Sequence, residues 1–205
     1  MKRVRAYIGL GANLGEASDT LAKGIHALAV LPDTRLHGVS RLYATAPVGV
    51  TDQPWFRNAV VALEVPGGPD PTTGAIALLV ALKQLERSFG RQERDRWGPR
   101  ELDLDLLIFG RARLSVERPP EGVSLDAGKA DRLLVVPHPA AAQRLFVLAP
   151  LADVAPGLVP PGWRETVGTA AARQAAIEGA DAVRPIATWD ADRAGWTAIE
   201  ETAAT

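Results

Sequence analysis

The chain has no cysteine among its 205 residues, which excludes disulfides, thiolate metal sites and a cysteine nucleophile. That absence fits a reducing compartment. Charge of one sign is also lacking: the formal net charge is −1, so no global field recruits nucleic acid or an anionic membrane. No stretch approaches the roughly 18 apolar residues of a membrane span. The start, Met1-Lys2-Arg3-Val4-Arg5, runs into a strand-like segment too brief for a signal-peptide core. There is no Gly-Lys-Ser/Thr, hence no phosphate-cradling P-loop, and no internal repeat stands out. What remains is ordinary for a globular protein, with 47% apolar and 23% charged residues. The length allows one domain burying roughly 70% of its unfolded surface. The expectation is a cytoplasmic, soluble enzyme, with a domain over 1–165 and a C-terminal extension over 166–205, helical or partly disordered.

The most informative stretch is Arg96-Trp-Gly-Pro-Arg-Glu-Leu-Asp-Leu-Asp-Leu-Leu-Ile-Phe-Gly110. On a strand, alternation puts Asp103 and Asp105 on one face and Leu102 and Leu104 on the other. Leu106-Leu107-Ile108-Phe109 then loses the alternation, as expected where a strand enters a core covered on both faces. Carboxylates two residues apart lie about 6.6 Å from each other. They repel by about 0.6 kcal/mol in water and about 2.5 kcal/mol at an effective dielectric of about 20. Such a pair on a wet edge is merely a solvated face. At the mouth of a buried strand, a cation would relieve the repulsion. Oxygen-only ligands suit Mg²⁺, and the guanidinium forks of Arg96 and Arg100 suit phosphate oxygens. The stretch reads as a metal-nucleotide site.

The coarse pattern is β-α-β-β-α-β. Val4 to Leu10 forms a first strand ending at the turn Gly9 to Gly15. Leu21, Ile25, Leu28 and Leu31 recur at helical spacing, and Pro32-Asp33 ends that helix. Leu36 to Thr45 and Asn58 to Val65 read as strands, joined by a loop over 46–54. Pro71 opens a helix with Ile76, Leu79, Leu82 and Leu85 on its apolar side. A charged loop over 91–96 precedes the strand Leu102 to Phe109. This order predicts an α+β, ferredoxin-like single domain: an antiparallel sheet with helices on one face, and further helices after Pro137 covering the other. Residues 111–131 read as a long loop and Thr166 to Ile177 as an Ala-rich helix. The end of the chain, with Trp189 and Trp196, packs on the domain or stays loose. The loops over 46–54 and 91–99 are expected to close over substrates.

Gly9-x-Gly11-x-x-x-Gly15 tempts toward a dinucleotide fold, but it misses the required spacing and no parallel βαβ alternation follows. It reads instead as a backbone turn bordering a pocket. His26 and His37 read as structural residues.

Four ordered segments resemble the 6-hydroxymethyl-7,8-dihydropterin pyrophosphokinase family. They are Tyr7-Ile8-Gly9-Leu10-Gly11-Ala12-Asn13-Leu14-Gly15; Tyr43-Ala44-Thr45-Ala46-Pro47-Val48-Gly49 with Asp52-Gln53-Pro54-Trp55-Phe56-Arg57-Asn58; Arg96-Trp97-Gly98-Pro99-Arg100 with Leu102 to Asp105; and Val136-Pro137-His138 with Arg144 and Phe146. The likeness covers roughly residues 4–163. It implies transfer of the ATP diphosphate to the pterin hydroxymethyl group, with release of AMP, in folate biosynthesis. It also implies two Mg²⁺ ions on Asp103 and Asp105, with Arg91 and Arg100 acting on the phosphates. ATP contacts fall on Lys83, Glu86, Trp97, Leu106, His138 and Arg144. Pterin contacts fall on Thr45, Val48, Phe56, Asn58 and Phe146, the two phenylalanines stacking on opposite faces. Lys83, where relatives carry glutamine, and Pro139, where some carry tyrosine, depart from the pattern. No partner beyond the small-molecule substrates is implied, neither nucleic acid nor membrane, and a monomer is expected.

Two other classes fit the same residues. A two-metal nucleotidyltransferase or cyclase would attack the α-phosphorus and release pyrophosphate. A ferredoxin-like module binding RNA or a small effector would show strand aromatics and a basic face.

Overall fold

The computed structural model describes residues 2–47, 52–90, 99–123 and 133–199. Strand β1 (Arg3–Ala12) alternates strictly, burying Ala6, Ile8, Leu10 and Ala12 on one face. It does not stop at the glycines: Gly9 and Gly11 lie inside it, held by pairing on both sides. Helix α1 (Ala17–Ala29) buries Leu21, Ile25 and Leu28 at helical spacing. The strand expected over 36–45 is two strands, β2 (Arg35–Val39) and β3 (Leu42–Thr45). Ser40 makes the break. Its backbone N–H donates to the Val60 carbonyl at 2.9 Å, while its hydroxyl accepts the Val60 N–H at 2.9 Å. A side chain thus replaces one rung of the main-chain ladder.

Strand β4 (Phe56–Pro66) pairs with β1, β2 and β3. Helix α2 (Pro71–Ser88) starts where Asp70 accepts the N–H groups of Thr72 at 2.9 Å and Thr73 at 3.0 Å, with Pro71 at the first helical position. Strand β5 (Asp103–Phe109) returns antiparallel to β1. The main sheet is ordered β5-β1-β4-β3-β8-β9, with β2 beside β3 on β4. Here β8 is Val183–Asp190 and β9 is Gly195–Ala198. The core is the ferredoxin-like α+β arrangement.

One sheet face packs on α1 and α2 through Ile8, Leu10, Val61, Leu63, Leu104 and Leu106. The other carries Val60, Leu107 and Ile108 against Leu151 of α3 (Leu145–Val154) and Val167 of α4 (Val167–Glu178). Helices after Pro137 therefore cover the second face, as expected. Asp153 of α3 fastens this layer to β3: Arg41 Nη2 donates to it at 2.6 Å and the Tyr43 hydroxyl at 2.9 Å. Burial, reinforced by the Asp153 charge, pushes the Tyr43 phenol well above its ordinary pKa.

Two segments differ from expectation. Residues 111–131 are not all loop: β6 (Leu114–Val116) pairs with β7 (Leu134–Val136), and a short 3₁₀ turn spans Pro120–Gly122. Three-residue strands are too short to reveal a period. In the C-terminal extension the helix is followed by strands, β8 and β9, which extend the sheet beyond β3, so Trp189 and Trp196 take the packed one of their two expected places. Trp189 and Trp196 face each other across that hairpin, edge to face, with centroids 4.9 Å apart. His26 of α1 bonds the Ala194 carbonyl at 2.8 Å, which docks the hairpin on the domain. No described helix is long and apolar enough to cross a membrane.

Candidate active site

In the β1–β5 register Asp103 lies opposite Gly11 and Asp105 opposite Gly9. Both carboxylates project to the sheet face away from α1 and α2, and no side chain on β1 crowds them. A Cβ at Gly11 would come within 3.3 Å of Asn58 Oδ1. The glycines are thus a floor beneath the acids rather than a turn. The register then slips by one residue, with Ile8 opposite Leu106 and Tyr7 opposite Ile108. Leu107 is the bulged residue, so Leu107 and Ile108 both reach the α3 face. The lost alternation in 106–109 comes from this bulge as well as from two-sided burial.

A cavity opens over the acidic pair. From β3 and β4 it is lined by Thr45, Phe56 and Asn58. Asn58 Nδ2 donates to Thr45 Oγ1 at 2.8 Å, and both residues are buried. That bond leaves the Asn58 amide oxygen as an acceptor and the Thr45 hydroxyl as a donor, suited to the edge of a heterocycle. Phe146, in the first turn of α3, lines the same cavity. The Arg144 guanidinium lies over its ring, 5.7 Å from the centroid. One face of Phe146 is therefore already covered by a cation.

The other lining residues come from α2, β5 and the β7–α3 connection: Lys83, Arg100, Leu106, His138 and Arg144. Arg100 Nη1 is ion-paired with Asp103 Oδ2. The His138 ring accepts the Ala140 N–H at Nδ1, at 3.3 Å, so the neutral ring carries its proton on Nε2. The His138 main chain is tied to the bulge, its N–H donating to the Leu107 carbonyl at 2.8 Å.

Glu86 does not line the cavity; it stands behind it. Lys83 and Glu86 are 4% and 1% exposed and paired at 2.7 Å. Lys83 Nζ also donates to the Leu104 carbonyl at 2.9 Å, and Glu86 Oε1 accepts the Leu104 N–H at 2.6 Å. The pair thereby occupies both polar groups of Leu104, on the sheet's edge strand and between the two aspartates, much as a neighbouring strand would.

Twelve of the fifteen expected site residues thus have described positions, eleven of them lining one cavity and Glu86 behind it. Val48, Arg91 and Trp97, with much of the two expected closing loops, lie outside the described residues. Sequence reasoning missed Arg118, which reaches the cavity from the segment after β6, because nothing in Glu117-Arg118-Pro119 marks it. It also missed the reach of Asn13. That side chain is 3% exposed and donates to Gln53 Oε1 at 3.0 Å and to the Pro54 carbonyl at 3.1 Å. Among the described residues no group of three or more acidic, His or Cys side chains gathers to hold a metal.

Fold and site together define a class: a ferredoxin-like α+β protein whose cavity joins a carboxylate pair to cationic and aromatic side chains. Residues 7–156 match the family described as 7,8-dihydro-6-hydroxymethylpterin-pyrophosphokinase. The 2-amino-4-hydroxy-6-hydroxymethyldihydropteridine pyrophosphokinase of Methylorubrum extorquens is 40% identical over 169 residues, 82% of this chain and 92% of that one. The protein of the same name from Pseudomonas aeruginosa is 41% identical, over 78% of this chain and 86% of its own length. The chain belongs to this pyrophosphokinase family. Among solved structures, wild-type Plasmodium falciparum HPPK-DHPS with pterin and p-hydroxybenzoate is similar in fold, with a TM-score of 0.71 at 14% identity. That match covers 98% of this chain and 49% of the other, so the chain spans about half the length of that relative.

Proposed function

We propose that this protein transfers the diphosphate of ATP to the hydroxymethyl group of 6-hydroxymethyl-7,8-dihydropterin and releases AMP, as a step of folate biosynthesis. The observation that carries this reading is the acidic pair over a glycine floor, at the junction of an amide-and-aromatic pocket and a cationic one. The two carboxylates fit Mg²⁺, which binds through one or two carboxylates and takes substrate phosphates and water for its other positions. Two such ions on Asp103 and Asp105 would neutralise charge developing on the transferred group.

The residues of the chain account for the rest. Thr45 and Asn58 match donor to acceptor along the pterin edge, and Phe56 and Phe146 hold its flat ring system. This fixes the hydroxymethyl oxygen for in-line attack on the β-phosphorus. The bond between that phosphorus and the bridging oxygen to the α-phosphate breaks, and AMP departs with the oxygen. Asp105 assists removal of the hydroxyl proton. Arg100, His138 and Arg144 hold phosphate oxygens, aided by Arg91, while Lys83, Glu86, Trp97 and Leu106 serve the nucleotide. Catalysis is mainly positioning and electrostatics, so no strong base is required. We place the protein in the cytoplasm as a monomer acting on small molecules alone.

Incubation with ATP, Mg²⁺ and the pterin tests this directly. AMP and pterin diphosphate should form one for one. Release of pyrophosphate would instead identify a nucleotidyltransferase, and no turnover with any nucleotide would leave only a binding module.

A further inference from the structure

We propose that the C-terminal segment 166–199 is a positioning element for the aromatic half of the cavity, setting Phe146 and Thr45 for the pterin while leaving the nucleotide half alone. This inference rests on the proposed pterin reading. The segment lies beyond the residues 7–156 that match the family, so its task is not given by that match.

Three independent contacts converge on one wall. First, a small apolar cluster separate from the main core joins Tyr43 of β3 and Leu145 of α3 to Val183 of β8. Phe146 and Ala175 of α4 pack against it. Phe146 therefore rests on a core that the extension half builds. Second, β8 pairs antiparallel with β3, and Val183 lies opposite Thr45. Without β8, β3 would be an edge strand, free to fray at the residue whose hydroxyl meets Asn58. Third, Glu178 at the end of α4 accepts the Leu145 N–H at 3.0 Å, and Gln174 Nε2 holds the same carboxylate oxygen at 2.7 Å. Leu145 sits between Arg144 and Phe146. Its N–H belongs to the first turn of α3, which has no intrahelical acceptor, and Glu178 supplies one. The bond fixes the first residue of α3, beside which Phe146 leaves the helix, whereas Arg144 precedes the helix and its carbonyl is held by the Val147 and Leu148 N–H groups.

The geometry assigns Glu178 and Val183 as positioning residues. Neither lines the cavity. An aromatic ring stacks well only over a narrow range of offsets, so a small drift of Phe146 costs pterin affinity first. ATP would be held from α2, β5 and the β7–α3 connection; the extension reaches the last two through Val167 against Leu107 and Ile108 and through Arg173 Nη2 on the Ala142 carbonyl at 3.2 Å, none of which lines the cavity.

The test measures pterin and a non-hydrolysable ATP analogue separately by calorimetry, in the full chain, with Tm recorded for each variant. Val183→Ala should raise the pterin Kd by about threefold or more and move the ATP-analogue Kd by less than about 1.5-fold. Glu178→Ala should act in the same direction by about twofold or more, and Glu178→Gln, which keeps an acceptor for Leu145, should restore it. Val65→Ala, at the far end of β4, serves as the control for lost stability alone and should change neither ligand. Equal losses for both ligands, or losses matching Val65→Ala at equal Tm, would overturn the proposal. Should Val183→Ala fail to fold, the exposed Glu178 pair of variants decides it alone. If the wild-type protein binds no pterin, the proposed function fails. If it binds pterin and the variants do not discriminate, only this inference does.

Discussion

Asn13 and Arg100 are bonded to each other in both directions. The Arg100 N–H donates to Asn13 Oδ1 at 2.7 Å, and the Asn13 N–H donates to the Arg100 carbonyl at 3.1 Å. With its amide also bound to Gln53 and Pro54, Asn13 joins the segment that carries Arg100 to the one that leads into Phe56. Asn13→Ala removes three hydrogen bonds from a buried position and leaves the Arg100 N–H without that acceptor. A loss of about 2–4 kcal/mol is expected if each bond contributes about 1 kcal/mol. Chemical denaturation measures it. Turnover per folded molecule should fall at least tenfold, because both segments border the cavity; unchanged turnover would mean that the joint is purely structural.

Asp103→Ala and Asp105→Ala should each remove most of the turnover with the fold intact, since neither side chain belongs to the apolar core. The two should differ in one respect. Asp103→Ala also removes the anion paired with Arg100, so its Tm should fall slightly, whereas Asp105→Ala relieves carboxylate repulsion. Rates near wild type in either variant, with Mg²⁺ saturating, would sink the two-carboxylate mechanism.

The buried Lys83–Glu86 pair offers a sharper stability test. Lys83→Met removes the cation paired with the buried Glu86 carboxylate and should cost about 3–5 kcal/mol in urea unfolding. Adding Glu86→Leu removes that charge, and many buried pairs are replaced this way without penalty. Here the double variant should remain about 1–3 kcal/mol below wild type, because the Leu104 N–H and carbonyl lose these partners. Full recovery would show that the pair does nothing for the edge strand.

Much of this was legible in residues and much was not. The alternation of Asp103 and Asp105 against Leu102 and Leu104 placed the acids on one face, because side-chain direction in a strand follows from the backbone alone. The helix over 71–88 announced itself through Pro71 and the spacing of Ile76, Leu79, Leu82 and Leu85, and the one over 167–178 through its alanines. The break at Ser40 was hidden because it depends on a bond to Val60, twenty residues away. The glycine floor was hidden for a similar reason: Gly9 and Gly11 acquire meaning only from the register with β5. The same holds for Lys83 and Glu86, whose spacing reads as an ordinary helical ion pair until Leu104 is found beside them.

Asp70 supplies an acid-side prediction. The Thr73 hydroxyl and N–H, with the Thr72 N–H, hold its carboxyl below its ordinary pKa. A group with a depressed folded-state pKa stabilises above its unfolded value and loses that contribution as pH falls through the folded one. The cap on α2 should therefore be fully present near neutrality and fade below about pH 4. Asp70→Ala should lower Tm by a few degrees at pH 7, and the gap from wild type should narrow as pH drops through that window. A gap independent of pH would assign the cap to Pro71 and the threonines instead.

The single extra residue at Leu107 works as a phase joint in β5. On its mouth side, odd-numbered residues face the cavity and even-numbered ones the α1–α2 layer. On its far side the parity is exchanged, so that Phe109 joins the α1–α2 layer and Ile108 the opposite one. Two uses of one strand are thereby uncoupled. Removing one residue at the joint would bring the halves into a common phase and force a choice, with either the acids turned into the apolar layer or Phe109 turned out of it. Substitutions at the odd-numbered positions before the joint should register in turnover and those after it in stability, along a strand of only seven residues.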